Sequence, residues 1–208
     1  GEFLVKNGIR QYAISETQKY GHVTYFWNGN RSGKFSETLE EYDEIPSDIV
    51  PFEQRPWMKC AEITDVLIEK LKFGFLRVNF PNGDMVGHTG SFIAAKISME
   101  ALDLCLARIL KAVDEVKGVA IITADHGNCD EMYEIDKKTG KVKVGADGKP
   151  KAKTSHTLNP VPCFIYDNYY SENFEEGSLG LADVTATVVT MMGLEPPEVW
   201  EKSMIRLK

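Results

Sequence analysis

The feature that most constrains this chain is an alternation of short β-type runs with long helical ones. Residues 75–80 (FLRVNF), 119–124 (VAIITA) and 161–166 (VPCFIY) are apolar, rich in β-branched and aromatic side chains, and flanked by Gly, Pro, Asn or Asp. That combination predicts strands. Between the first two lies 91–116, where Ile93, Ile97, Ala101, Leu104, Ile109 and Val113 recur every three to five residues. This is the spacing of a helix with one buried face. Shorter helices are predicted over 61–72, with Ile63, Val66, Leu67 and Leu71 on one stripe, and over 181–192, with Leu181, Val184, Val188 and Met192. Strand, long helix, strand is a βαβ unit, so the expected fold is α/β, a mostly parallel sheet covered by helices. One strand, 161–166, is expected to run antiparallel to 119–124, because no crossover helix separates the two.

A length of 208 residues suits one domain or part of one. The first residues, GEFLVKNGIR, begin without Met and read as a start partway through a larger protein. Hydrophobic residues at 43% and charged residues at 26% describe a globular chain rather than a disordered one. No apolar run is long enough for a membrane span. A net charge of -7 argues against general nucleic-acid binding. Cys60, Cys105, Cys129 and Cys163 are widely spaced with no CxxC pair. They read as reduced packing thiols in a cytoplasmic protein. Residues 136–153 hold seven lysines against two aspartates. This local charge of +5 reads as a solvated hairpin, or as a positive field beside the site that follows it.

Three of the four histidines sit in short motifs: NGDMVGHTG (82–90), TADHGN (123–128) and TSHT (154–157). The first two directly follow strands, which puts them at the carboxyl edge of a parallel sheet, where functional groups gather. The antiparallel strand brings His156 to the same edge. Asp84 and His88 alone fit a surface ion pair or a helix-start cap better, and His156 alone fits a hydrogen-bonded loop residue. Together, Asp84, His88, Asp125, His126 and His156 offer carboxylate and imidazole donors suited to Mn²⁺, Zn²⁺, Fe²⁺ or Co²⁺. Five donors exceed one open tetrahedral site and fit two ions acting on a phosphoryl group. His22, among apolar and aromatic neighbours, reads as a packing residue. Lys19 is either a solvated side chain or an electrostatic partner for a phosphoryl group, and Arg31 has the weaker case of the same kind.

NGDMVGHTG, ITADHGNCDEM and TSHTLNPVP, together with ETQKYGHVTYFWNGNRSGKF upstream, resemble the cofactor-independent (2,3-bisphosphoglycerate-independent) phosphoglycerate mutases of the alkaline phosphatase superfamily. FWNGNRSG is similar to the plant-type branch. The resemblance covers nearly the whole chain. It implies an alkaline-phosphatase-like three-layer α/β/α sheet, mostly parallel with one antiparallel strand, present as an incomplete domain. Residues 1–208 then correspond to the C-terminal part of the phosphatase-type domain, without the inserted transferase domain and the N-terminal segment that carries the serine nucleophile. The implied reaction interconverts 3-phosphoglycerate and 2-phosphoglycerate through a phosphoserine.

The same resemblance implies Asp84, His88 and His156 as ligands of one ion, Asp125 and His126 as ligands of a second, and Lys19 as a phosphoryl contact. Gln18 departs from a Glu common in the family. The implied cofactors are two divalent ions, Mn²⁺ first, with Mg²⁺, Co²⁺ or Zn²⁺ as alternatives, and no 2,3-bisphosphoglycerate. The implied partner is a small phosphoglycerate substrate, with neither nucleic acid nor membrane, and full-length members are expected to be monomeric. The chain alone is expected to be inactive, and to show exposed core surface that drives self-association or leaves the site loops disordered. Competing readings are another superfamily phosphomutase or phosphodiesterase, disfavoured by ETQKYGHVTYFWNG, and an inert metal-binding domain that needs a partner chain.

Overall fold

A computed structural model describes residues 1–169, 172–174 and 179–207. In chain order the elements are α1 (Glu2–Lys6), β1 (Gln11–Glu16), α2 (Thr17–Gly21), a π-helical turn (His22–Phe26), β2 (Glu40–Ile45), a 3₁₀ turn (Phe52–Gln54), α3 (Cys60–Glu69), β3 (Phe75–Asn79), α4 (Asn82–Gly87), α5 (Phe92–Glu115), β4 (Ala120–Thr123), β5 (Cys163–Tyr166), β6 (Glu172–Phe174), α6 (Asp183–Met191) and β7 (Ile205–Leu207). The chain divides into two compact units. One comprises Gly1–Val116 with His126–Pro160, and the other Lys117–Asp125 with the chain from Val161 onward.

The first unit is built on a three-stranded parallel sheet in the order β2-β1-β3, with Tyr12 opposite Glu41 and Leu76. Every residue of β1 is buried, as befits a central strand. In the second unit β4 pairs antiparallel with β5, Ile121 facing Ile165, and β6 pairs antiparallel with β7. The antiparallel strand expected from the sequence is therefore present. The mostly parallel sheet is present too, as β2-β1-β3. Strands β3 and β4 flank α5 but belong to different hydrogen-bonded sheets, and β3 is paired instead with β1. Hydrophobic periodicity identifies strands, not their partners.

The long helix forms as predicted, capped by Ser91, whose Oγ accepts from the Ala94 amide at 3.3 Å. Its buried face differs from the expected one. Ala94, Ala95, Ser98, Cys105, Ile109, Ala112 and Val113 are buried, while Ile93 and Leu104 are 72% and 70% exposed. Small side chains on the buried stripe let α5 lie close against α3 and α4. The bulkier Ile93, Ile97 and Leu104 point away from that contact. The thiols also divide. Cys60 and Cys105 are buried and Cys129 is half-buried, but Cys163 is exposed on β5 and is no packing residue. His22 is exposed, its ring 5.1 Å from that of Phe26, so it is a surface residue rather than the buried packing residue expected.

The core nearest the histidine motifs consists of Met58, Val86, Ala94, Ala95 and Met132, with Phe52, Met85 and Cys129 packed on it. Val86, fully buried between Asp84 and His88, anchors α4 from below. The lysine-rich segment is the exposed hairpin that its composition suggested. Bridges join Tyr133 to Ala152, Ile135 to Val142 and Val144 to Pro150. Glu134 pairs with Lys143 and Lys151, and Glu131 pairs with Lys153.

Candidate metal centre

The first motif is a helix rather than a loop. Its i, i+4 spacing becomes one face of α4, with the His88 amide donating to the Asp84 carbonyl at 3.0 Å. The turn that follows α4 closes at Gly90, whose φ of +73° favours glycine. A Cβ there would also lie 2.9 Å from the Ala152 Cβ, so the returning arm of the hairpin packs directly on this turn. That contact delivers Thr154 and His156 to the end of α4.

Three donor atoms converge. His88 Nε2 lies 2.9 Å from Asp84 Oδ1, His156 Nε2 lies 3.0 Å from the same oxygen, and the two ring nitrogens are 3.1 Å apart. The other nitrogen of His88, Nδ1, is 2.6 Å from the Thr154 carbonyl. A carbonyl can only accept, so Nδ1 carries the proton and donates. That bond aims the His88 Nε2 at Asp84 Oδ1 and His156 Nε2. Backbone bonding that fixes the tautomer in this way is the usual support of a metal-bound imidazole.

Asp84 is held from its other side. Lys19 is buried, delivered by α2 immediately after β1, and its Nζ sits 2.7 Å from Asp84 Oδ2. Burial works to raise the pKa of this carboxyl. The Lys19 ammonium and the Asn128 amide outweigh burial and hold it at about 2. Asp84 is thus a carboxylate at any physiological pH, ready to ligate without losing a proton.

His126 follows the second motif's strand and stacks on His156, with ring centroids 3.6 Å apart at 17°. Its Nε2 is 3.9 Å from Asp84 Oδ1. The close donor set consists of Asp84, His88 and His156. Asp125 is exposed in the loop after β4, within the other compact unit. Arg31 stacks its guanidinium over Phe35 at 4.2 Å and is otherwise a surface residue.

Two residues, one at the end of the second motif and one just beyond it, escaped the reading of the sequence. Asn128 Nδ2 donates to Asp84 Oδ1 at 3.0 Å and to the Asp84 carbonyl at 3.1 Å. Asp130 Oδ2 accepts from Thr157 Oγ1 at 2.8 Å and from Asn159 Nδ2 at 2.6 Å. Their signal was the Asn and Asp placed around a glycine turn, residue types that tie loops together through side chains.

Residues 1–196 match the family model of the metalloenzyme superfamily. The chain belongs to the metalloenzyme superfamily. Among its relatives, the 2,3-bisphosphoglycerate-independent phosphoglycerate mutase of Trypanosoma brucei brucei is 51% identical over 99% of this chain and 38% of its own length. The phosphoglycerate mutase 1 of the same type from Arabidopsis thaliana is 45% identical over 100% of the chain and 38% of its own. A crystal structure of Leishmania mexicana phosphoglycerate mutase at low cobalt concentration superposes with a TM-score of 0.95. It is 48% identical and covers 100% of this chain and 39% of that one. The chain thus spans about 38% of the length of these metalloenzyme relatives. No described helix is long and apolar enough to cross a membrane.

Proposed function

We propose that this chain forms the metal-holding portion of a 2,3-bisphosphoglycerate-independent phosphoglycerate mutase, corresponding to the C-terminal part of its phosphatase-type domain. The enzyme would interconvert 3-phosphoglycerate and 2-phosphoglycerate, a cytoplasmic step of glycolysis and gluconeogenesis. The observation that carries this reading is the orientation of His88. Its Nε2, aimed by the Nδ1–H bond to Thr154, faces a carboxylate oxygen at 2.9 Å and a second imidazole nitrogen at 3.1 Å. One carboxylate oxygen and two imidazole nitrogens brought within mutual reach form a donor set that suits a divalent ion of the first transition row.

Asp84, His88 and His156 would hold one ion, and Asp125 and His126 would contribute donors to a second. Mn²⁺ is the proposed metal. Two such ions supply charge compensation for a phosphoryl group and lower the pKa of a coordinated hydroxyl. The chain's own residues do the rest. Lys19 spends one of its three N–H donors on Asp84, and the remaining two suit phosphoryl oxygens. His126, stacked on His156, keeps that ring from turning. The identity of 45–51% to named mutases along essentially the whole chain favours this reading over another phosphomutase or phosphodiesterase.

Mn²⁺ titration of the chain, followed by electron paramagnetic resonance of the free ion, is the test. Uptake that His156→Ala removes is the expected result, and absence of specific uptake by the unsubstituted chain overturns the reading. The chain alone is expected to give no turnover of 3-phosphoglycerate, and measurable turnover would show that the nucleophile segment is not needed. Self-association of the chain through the exposed α5 face is expected as well. Ile93→Lys with Leu104→Lys should abolish concentration-dependent association in sedimentation velocity, while changing unfolding stability by no more than about 0.5 kcal/mol. Association that persists in the double variant would move the interface elsewhere.

A further inference from the structure

We infer that Asn128 and Asp130 are positioning residues, a two-part clamp that holds Asp84 and the His156 loop in place. This inference rests on the metal reading above. Neither residue is itself placed among the ligands. Each fastens the second motif to one of the other two.

Asn128 reaches toward α4. It is 6% exposed, and both of its amide bonds go to Asp84, one to the carboxylate and one to the carbonyl. Its own Oδ1 is buried without a hydrogen-bond partner. A flipped amide would put that oxygen against two Asp84 oxygens, so the donor orientation is forced at the cost of an unsatisfied acceptor. The carboxylate of Asp84 is consequently gripped at Oδ1 by Asn128 and at Oδ2 by Lys19. Such double support leaves its plane no freedom to swing away from the two imidazoles.

Asp130 reaches the other way. Its Oδ2 takes protons from Thr157 Oγ1 and Asn159 Nδ2, one and three residues beyond His156. The Thr157 amide adds a bond to the Gly127 carbonyl at 2.9 Å. The segment that carries His156 is therefore pinned next to the segment that carries His126.

The glycines of two motifs acquire a reason from this clamp. A Cβ on Gly87 would collide with the Asn128 amide, its Cγ only 2.7 Å away. A Cβ on Gly127 would collide with Thr157 Oγ1 and stand 2.6 Å from Asp130 Oδ1. Both glycines leave the space that the clamp side chains occupy. Two independent close approaches to the same pair of residues are hard to reconcile with Asn128 and Asp130 being incidental surface polarity.

The test compares the unsubstituted chain with Asn128→Ala, Asp130→Ala and the milder Asp130→Asn. It has two readouts, Mn²⁺ affinity and amide hydrogen exchange of the metal-free chain. Loss of a residue that orients a ligand costs about 10–100-fold in metal affinity, and that is expected for both alanine variants. In metal-free Asp130→Ala, exchange at the Thr157 amide is expected to quicken about tenfold, as the loss of local hydrogen bonds eases local opening. Amides of β1 should be unaffected, and Asp130→Asn, which keeps one acceptor oxygen, should fall between. Local quickening sustains the clamp even where the unsubstituted chain takes up no Mn²⁺, in which case only the metal reading fails. Unchanged exchange at Thr157 overturns the inference. So does exchange that quickens equally throughout β1, because the residues would then act through global stability.

Discussion

Replacing Asp84 by alanine is expected to remove specific Mn²⁺ binding altogether and to destabilise the metal-free chain by about 3 kcal/mol. The first effect follows from geometry. Asp84 Oδ1 is the atom that both ligand imidazoles approach, at 2.9 and 3.0 Å. The second follows from what is left behind. Lys19, only 8% exposed, would be left with no carboxylate beside it, and stranding one partner of a buried pair costs about 3–5 kcal/mol. Side chains that remain about a tenth exposed belong at the low end of that range. Urea unfolding of Asp84→Ala measures the loss, and adding Lys19→Met to that variant should restore part of it. No recovery in the double variant would mean that the stranded charge is not the cause.

The sign of the pH dependence is also fixed. The Asp84 carboxyl ionises at about 2 in the fold and at about 3.9 when unfolded. Its contribution is therefore complete above roughly pH 5 and fades as the pH falls toward 2. Asp84→Ala should show a flatter stability profile across that interval.

Tyr12→Ala is expected to cost about 4 kcal/mol, within the range for removing a fully buried aromatic ring. Tyr12 is 0% exposed at the centre of β1, its ring 5.5 Å from that of Phe73, and its hydroxyl donates to Asp43 Oδ2 at 2.6 Å. Tyr12→Phe isolates the hydroxyl and should cost only about 1 kcal/mol. A loss below about 2 kcal/mol for the alanine variant, measured by denaturant unfolding, would show that β1 is not the strand on which the first unit depends.

That strand was the least legible element of the sequence. Apolar runs disclosed β3, β4 and β5, and periodicity disclosed α3, α5 and α6. The segments QYAISE and EEYDEI carry too many polar residues to stand out as strands, yet Gln11, Glu16 and Glu40 are buried. Their polarity is satisfied locally. Gln11 bonds the Gly1 carbonyl and Arg77, the Glu16 carboxylate takes the Lys59 amide, and Glu40 takes the amides of Phe35 and Ser36. A buried polar side chain with its hydrogen bonds made reads as a surface residue until the partners are known. The misread face of α5 has the same origin. Ile93, Ile97 and Leu104 are as apolar as Ile109 and Val113, and only the packing partner decides which are covered.

The site was more legible because its donor types are rare in this chain. Three of four histidines and two aspartates sufficed to single out the motifs, and the structure brings Asp84, His88 and His156 within mutual reach. Asn128 and Asp130 were invisible because their work is done across motifs, toward residues 44 and 27–29 positions away in the chain.

The lysine-rich hairpin bears on how such chains can vary. The chain leaves the site at Met132 and returns at Lys153, where the Lys153 amide donates to the Met132 carbonyl at 3.0 Å. The twenty residues between, 133–152, form an excursion whose two ends are already joined. Changing the length of such an excursion costs only a slowly growing closure entropy, about 0.6 kcal/mol for each doubling. The interval between His126 and His156 is thus free to drift over evolutionary time while the donors stay in register. A pattern that demands a fixed spacing there would discard chains with the same centre, whereas one anchored on the two ends of the hairpin would retain them.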